Sequence, residues 1–296
     1  MVSQTHIDRL RFLPGNSTNT RTILDNRNQQ KMKIAVIGAG NMGMAFSSAF
    51  VRKGLVKASD LLLIEPRIES HEQLKSQGFD WILSAVSSEI EKCDLVILSV
   101  KPQDFPTLDA ELSKYTNPSQ IILSIMAGIG IDSILNSLQA TKVVRCMPNT
   151  PAKLGVGITG FYCQNLNATE TDFVKSLLES TGKAIELNEE GQLNAVTAIS
   201  GSGPAYFYYF LRAMVQAGEQ LGMTHEMAKE LACETMLGSY HLVKDSGASF
   251  DELIKAVASK GGTTEAALTT FNHFAVSDSI EKGLLNAEKR AWELSK

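Results

Sequence analysis

Gly38, Gly40 and Gly43 follow one another at the spacing Gly-x-Gly-x-x-Gly, and glycines so placed can hold a diphosphate. The first permits a tight turn, the second lets backbone approach a pyrophosphate, and the third lets a helix pack closely on a strand. Unpaired N–H groups and the partial positive charge at the start of the helix then face the anion. The elements that must position these glycines are present on either side. Ile34–Ile37 has the β-branched content of a buried parallel strand, and the small-residue apolar segment 44–51 suits a helix. Glycines alone also fit an ordinary strand-to-helix turn. With strand, turn and helix all in place, the stretch reads as a dinucleotide site.

Further chemistry-bearing residues fall just after later apolar runs. Glu65 lies twenty-two residues past Gly43, where a carboxylate accepts hydrogen bonds from an adenosine ribose and favours NAD. Arg67, two residues on, suits the extra phosphate of NADP. The two signals conflict, and both cofactors stay open at this point. Lys101-Pro102 ends another run, and Pro102 forces a turn there. Lys101 fits a solvated loop as well as a ligand edge. Arg145-Cys-Met-Pro-Asn-Thr-Pro151 breaks the pattern with two prolines and reads as a rigid cleft wall. Far downstream, Gly261-Gly262-Thr263-Thr264 precedes a helix-forming segment. Thr263 or Thr264 could cap that helix, and Glu265 suits its positive end. A Gly-Gly pair there also offers backbone N–H groups to a substrate carboxylate. No histidine falls in a loop where it would serve as a base, and His71, His225, His241 and His273 read as surface or core residues.

The elements alternate. Apolar runs at 61–64, 95–100, 121–125 and 142–146 are separated by helix-like or loop segments, which predicts a parallel sheet with helices on its faces. Ligands of such sheets lie beyond the carboxyl ends of the strands. Runs at 157–162 and 183–187, flanking a helix over 170–180, complete the sheet. Beyond Asn188 the pattern turns helical, so the border falls near residue 190. The predicted fold class is α/β: a Rossmann-type dinucleotide-binding domain over 32–189, then an all-α dimerisation domain over 190–296. Gly201 and Gly203 are expected to interrupt a helix, with Pro204 opening the next. The aromatic run Tyr206–Phe210 reads as core or subunit interface. Residues 1–31 are basic, lack periodicity and read as a flexible, dispensable N-terminal extension, a transit peptide being the alternative.

Bulk properties narrow the class. The 296 residues are 44% hydrophobic and 20% charged with a formal net charge of −4, which gives no sign of nucleic-acid binding. Cys93, Cys146, Cys163 and Cys233 are scattered and read as free thiols, with no metal site. No apolar run reaches membrane-spanning length, and a cytoplasmic location is expected.

The motifs taken together resemble pyrroline-5-carboxylate reductase, over most of the chain from Met32. The resemblance rests on Val36–Gly43, Ser99-Val-Lys-Pro102, Arg145–Pro151, Ser200-Gly-Ser-Gly-Pro-Ala-Tyr206 and Ser259-Lys-Gly-Gly-Thr-Thr264. It implies hydride transfer from a reduced nicotinamide, usually NADPH with NADH possible, to the ring C=N carbon of 1-pyrroline-5-carboxylate, giving L-proline, the last step of proline biosynthesis. It implies a homodimer as the catalytic unit, with decamers in many members. The cofactor would meet Ile37, Gly38, Ala39, Gly40, Asn41, Met42 and Gly43, with Arg67 at the 2′-phosphate. Val100, Lys101 and Pro102 match the nicotinamide-side loop, and Met126 and Ala127 another cofactor-contacting turn. Gly261, Gly262, Thr263 and Thr264 match the segment that receives the substrate, Glu190 an acidic position facing it, and Thr264 takes the catalytic role through a hydrogen bond to the ring nitrogen.

Two departures stand out. Lys260 replaces a proline common in the family, and Gly247-Ala-Ser-Phe250 replaces an acidic, proline-containing loop. A β-hydroxyacid dehydrogenase of this architecture would carry a Lys in the interdomain helix, and residues 194–211 contain none. A reductase of a six-membered imine and a catalytically silent NADP sensor are the remaining alternatives.

Overall fold

Eight strands in the order β3-β2-β1-β4-β5-β6-β7-β8 make one sheet. The computed structural model describes residues 32–295, so the reading of residues 1–31 lies outside the described residues. The strands are β1 (Ile34–Ile37), β2 (Leu61–Ile64), β3 (Ile82–Leu83), β4 (Leu95–Leu98), β5 (Ile121–Ser124), β6 (Lys142–Met147), β7 (Gly157–Gln164) and β8 (Gly182–Glu186). Every residue of β1, β2, β4 and β5 is buried, as a parallel strand covered on both faces requires. Ile34 pairs with Leu61 on one side and Leu95 on the other. Because side chains alternate, Ile34 and Val36 enter the core on one face while Ala35 and Ile37 enter the core on the other.

The helices around the sheet are α1 (Asn41–Arg52), α2 (His71–Ser76), α3 (Phe105–Leu112), α4 (Ile131–Ser137) and α5 (Ala168–Glu179). Phe46 and Phe50 of α1 are fully buried and press on β1. An Asn167 capping box starts α5, with the Asn167 N–H donating to the Glu170 carboxylate at 3.0 Å.

The sheet departs from the expectation in two places. β7 runs antiparallel to β6, with Met147 opposite Gly160. The short helical turn Thr150–Leu154 ends in Gly155 at φ +74°, and the chain doubles back there instead of crossing over. β3, too short to read from sequence, extends the far edge beside β2.

After Glu186 the described residues form helices: α6 (Gln192–Val196), α7 (Gly203–Gln220), α8 (His225–Ser246), α9 (Phe250–Val257), α10 (Thr263–His273) and α11 (Val276–Glu293). The helix is interrupted at Gly201 as expected. The chain widens into a π turn over Thr197–Gly201, closed by Ser202 N–H to Thr197 O at 2.8 Å, and α7 then opens at Gly203 with Pro204 in its first turn. These helices bury little in a single chain. Their core holds Val215, Ala228 and Ala232, whereas Phe207, Leu221 and Phe274 are 60%, 79% and 70% exposed.

Candidate dinucleotide and substrate site

Each glycine of the fingerprint stands where its geometry is needed. Gly38 turns at φ +95°, and its N–H bonds Ile64 O at 2.9 Å. A Cβ on Gly43 would lie 2.2 Å from Gly38 O, so only glycine lets α1 seat this close to the turn. Gly40 is the N-cap of α1; among the described residues no side chain caps it, and beyond its own neighbours in the chain none of their atoms lies within 4 Å of where its Cβ would be. The backbone is therefore open on the side where a diphosphate would approach, and the residues present fit a dinucleotide. Ser99, at the end of β4, fastens the turn from below, its hydroxyl donating to Ile37 O at 3.0 Å and Gly38 O at 2.6 Å.

A cleft of about 400 Å³ opens beside the turn and brings Ala39, Gly40 and Asn41 together with Arg67. Sequence reasoning missed Ser48, Arg52 and Lys153, which line the same cleft. The signal was there for the first two: Asn41, Met44, Ala45, Ser48 and Arg52 share one face of α1 at helical spacing. Met42 is half-buried against the core, and Ile37 is a core residue of β1.

Glu65 is buried and bound by Arg67, whose Nε and Nη2 donate to its two oxygens at 2.8 and 3.1 Å while the Arg67 N–H donates at 3.1 Å. The hydrogen bond from Arg67 holds the Glu65 carboxyl below the usual carboxylate value, against its own burial.

The other cofactor candidates lie at strand ends, as the fold requires. Val100 and Lys101 follow β4, and Pro102 opens a short helical turn, with Lys101 exposed. After β5, Met126 is 2% exposed and belongs to the core, its N–H donating to the Ser124 hydroxyl at 3.2 Å. Gly128 beside it turns at φ +77°, and a Cβ there would lie 2.4 Å from Leu294 O, so the end of the helical segment packs on this turn.

The substrate candidates are split. Glu190 sits near the sheet, accepting from Arg145 Nη1 at 2.5 Å and from Ile131 N–H at 2.9 Å. Gly261–Thr264 lie at the start of α10, and their hydrogen bonds run to Ser259, Glu265 and Ala266 on the same loop and helix. Neither threonine caps α10. Gly262 is the N-cap and the helix already begins at Thr263, which leaves Thr264 half-buried inside the first turn. Glu265 does sit at the positive end, its carboxylate accepting the Gly261 N–H at 2.6 Å. Among the described residues no group of three or more His, Cys, Asp or Glu side chains is placed to hold a metal ion.

The model of a family described as pyrroline-5-carboxylate reductase dimerisation matches residues 190–294, and one described as NADP oxidoreductase coenzyme F420-dependent matches residues 33–128. A pyrroline-5-carboxylate reductase of Pseudomonas aeruginosa is 37% identical over 265 residues, which cover 89% of this chain and 97% of the relative. Among solved structures, that of a pyrroline-5-carboxylate reductase from Coxiella burnetii superposes with a TM-score of 0.82 at 28% identity, covering 90% of this chain and 99% of the other. A Plasmodium falciparum pyrroline carboxylate reductase crystallised with NADP bound gives 0.81 at 25% identity, covering 91% and 100%. The sequence relative aligns with this chain along nearly its whole length, the solved structures superpose on it along nearly theirs, and the chain belongs to the pyrroline-5-carboxylate reductase family.

Proposed function

We propose that this chain reduces the ring C=N of 1-pyrroline-5-carboxylate to give L-proline, the closing step of proline biosynthesis, with NADPH as its principal reductant. The observation that carries the reading is Gly40, whose place at the start of α1 is open to a diphosphate, in a chain whose relatives are named for this reductase. The bound nicotinamide supplies hydride; the chain supplies position and charge. Ile37, Gly38, Ala39, Gly40, Asn41, Met42 and Gly43 form the cofactor-binding turn, with Gly40 at the diphosphate, and Arg67 meets the 2′-phosphate. Val100, Lys101, Pro102, Met126 and Ala127 border the nicotinamide. Gly261, Gly262, Thr263 and Thr264 form the loop that borders the substrate, Glu190 faces the substrate, and the Thr264 hydroxyl bonds the ring nitrogen.

No strong base is required. A cyclic imine takes its proton from water, and the resulting iminium accepts hydride at carbon to become the amine. Alignment and charge complementarity then lower the barrier by several kcal/mol. In this reading residues 32–189 bind the cofactor and 190–296 form the substrate and dimerisation domain. The homodimer is the working unit, and decamers are its larger assembly, which sedimentation distinguishes from dimers. Its compartment is the cytoplasm; among the described residues no helix is long and apolar enough to cross a membrane.

The test is the loss of NADPH absorbance with purified protein and 1-pyrroline-5-carboxylate, repeated with NADH and with the six-membered imine. Consumption of NADPH with proline as product supports the reading. No oxidation with either imine sinks it.

A further inference from the structure

The pair at the end of β2 joins an NAD-type carboxylate to an NADP-type cation, and its geometry ranks the two. Glu65 is buried, and Arg67 occupies both of its oxygens from the solvent side. Arg67 itself is 61% exposed and lines the cleft that also contains Gly40. With Nε and Nη2 committed to Glu65, the outer edge of the guanidinium, with the Nη1 hydrogens, is turned away from the carboxylate. Among the described residues no acidic side chain lines the cleft, and Arg52 and Lys153 add positive charge to it. His71 is tied to the same segment, its Nε2 lying 2.7 Å from Glu65 O, which anchors the backbone on which the pair stands.

We propose that Arg67 masks Glu65: the guanidinium both reads the 2′-phosphate and covers a carboxylate that would otherwise accept the free ribose hydroxyls of NADH. Glu65 in turn is a positioning residue that holds the guanidinium side-on with its outer edge toward the cleft. Dinucleotide preference in this chain is thus stored in one removable contact. Taking Arg67 away does not merely lose the phosphate; it uncovers the opposite specificity. This rests on the nicotinamide-dependent function proposed above.

Titration calorimetry of NADPH and NADH, without substrate, tests it in the wild-type chain, Arg67→Ala and Arg67→Ala/Glu65→Gln. Arg67→Ala strips two hydrogen bonds from the Glu65 carboxylate, so a modestly lowered thermal midpoint is expected in a chain that still folds; Arg67→Ser repeats the test if the alanine chain misfolds. Arg67→Ala is expected to weaken NADPH about 10- to 100-fold, the worth of a charged hydrogen bond, and to strengthen NADH about 3- to 10-fold. In the double variant the gain for NADH disappears. NADH affinity that is flat or lower in Arg67→Ala, or a gain that survives loss of the Glu65 charge, overturns the masking. A wild-type chain that binds neither dinucleotide removes the proposed function itself, an outcome distinct from a wild type that binds while its variant fails to switch.

Discussion

Arg145 and Glu190, forty-five positions apart in sequence, meet at 2.5 Å, and the shared Glu190 oxygen also accepts the Ile131 N–H that opens α4. One carboxylate therefore ties β6, the start of α4 and the entrance to the helical segment. The Arg145 side chain is only 7% exposed and Glu190 32%, so each depends on the other to offset its desolvation. Arg145→Ala is expected to lower unfolding free energy by about 2–4 kcal/mol, read as a shift in the urea midpoint. It should raise KM for the imine more than it changes NADPH affinity. Glu190→Gln, which keeps an acceptor for Ile131, should cost less than half as much stability.

Gly40 and Gly43 separate binding from folding. Gly40→Val adds a side chain where, among the described residues, no atom beyond its chain neighbours lies within 4 Å, so the fold should survive while NADPH binding falls below detection by calorimetry. Gly43→Ala forces a Cβ to 2.2 Å from Gly38 O, so α1 must move off the strand. The expected loss is about 1–3 kcal/mol, as for an overpacked core, with a lowered thermal midpoint before any effect on cofactor is measured.

Thr264→Ala should reduce kcat about 10- to 100-fold, the worth of one hydrogen bond made to a charged group in the transition state, with NADPH affinity unchanged. Thr264→Ser restores the hydroxyl and should recover most of the rate. Normal turnover in the alanine variant would take Thr264 out of the reaction.

Glu170 contributes stability that depends on pH. The hydrogen bond from Lys142 at 2.6 Å, helped by the Asn167 N–H, holds its carboxyl below the usual value. A carboxyl lowered in the folded state stabilises above its unfolded value of about 4.3. That contribution disappears as pH falls through the folded value. Glu170→Gln should therefore be less stable than the parent by about 0.5–1.5 kcal/mol at pH 7. The gap should close when both chains are unfolded by urea near pH 2.

Burial pushes the Cys93 thiol up to about 12 and the Cys146 thiol higher still. Both side chains are buried, so neither should react with iodoacetamide at pH 8 until the chain is unfolded, as peptide mass mapping would show.

What the sequence made legible was local. The strands of the sheet centre announce themselves because burial on both faces leaves an unbroken apolar run, and the glycine spacing carries its own geometry. Direction is not local. Gly157–Gln164 reads the same whichever way it runs, and the antiparallel pairing of β7 with β6 comes from the turn before it. Two residues of strand at Ile82–Leu83 carry no period at all. The Thr263 and Thr264 caps failed because Gly262 already has extended backbone at the N-cap, which moved the helix start one residue earlier than a threonine cap needs. Glu65 and Arg67 were both visible, yet their contact was not, because side-chain pairing across a bend depends on rotamers that sequence does not specify. The Arg145–Glu190 contact spans still more chain.

The exposed apolar faces of α7 to α11 bear on what stability means for this protein. Phe207, Leu221 and Phe274 are exposed in the single chain, in a segment matched by a family of dimerisation domains. For such helices, folding and assembly share one equilibrium, and mass action sets its position. Dilution is therefore expected to act on this chain as urea acts on a monomer, loosening its helical half with no change of temperature or solvent.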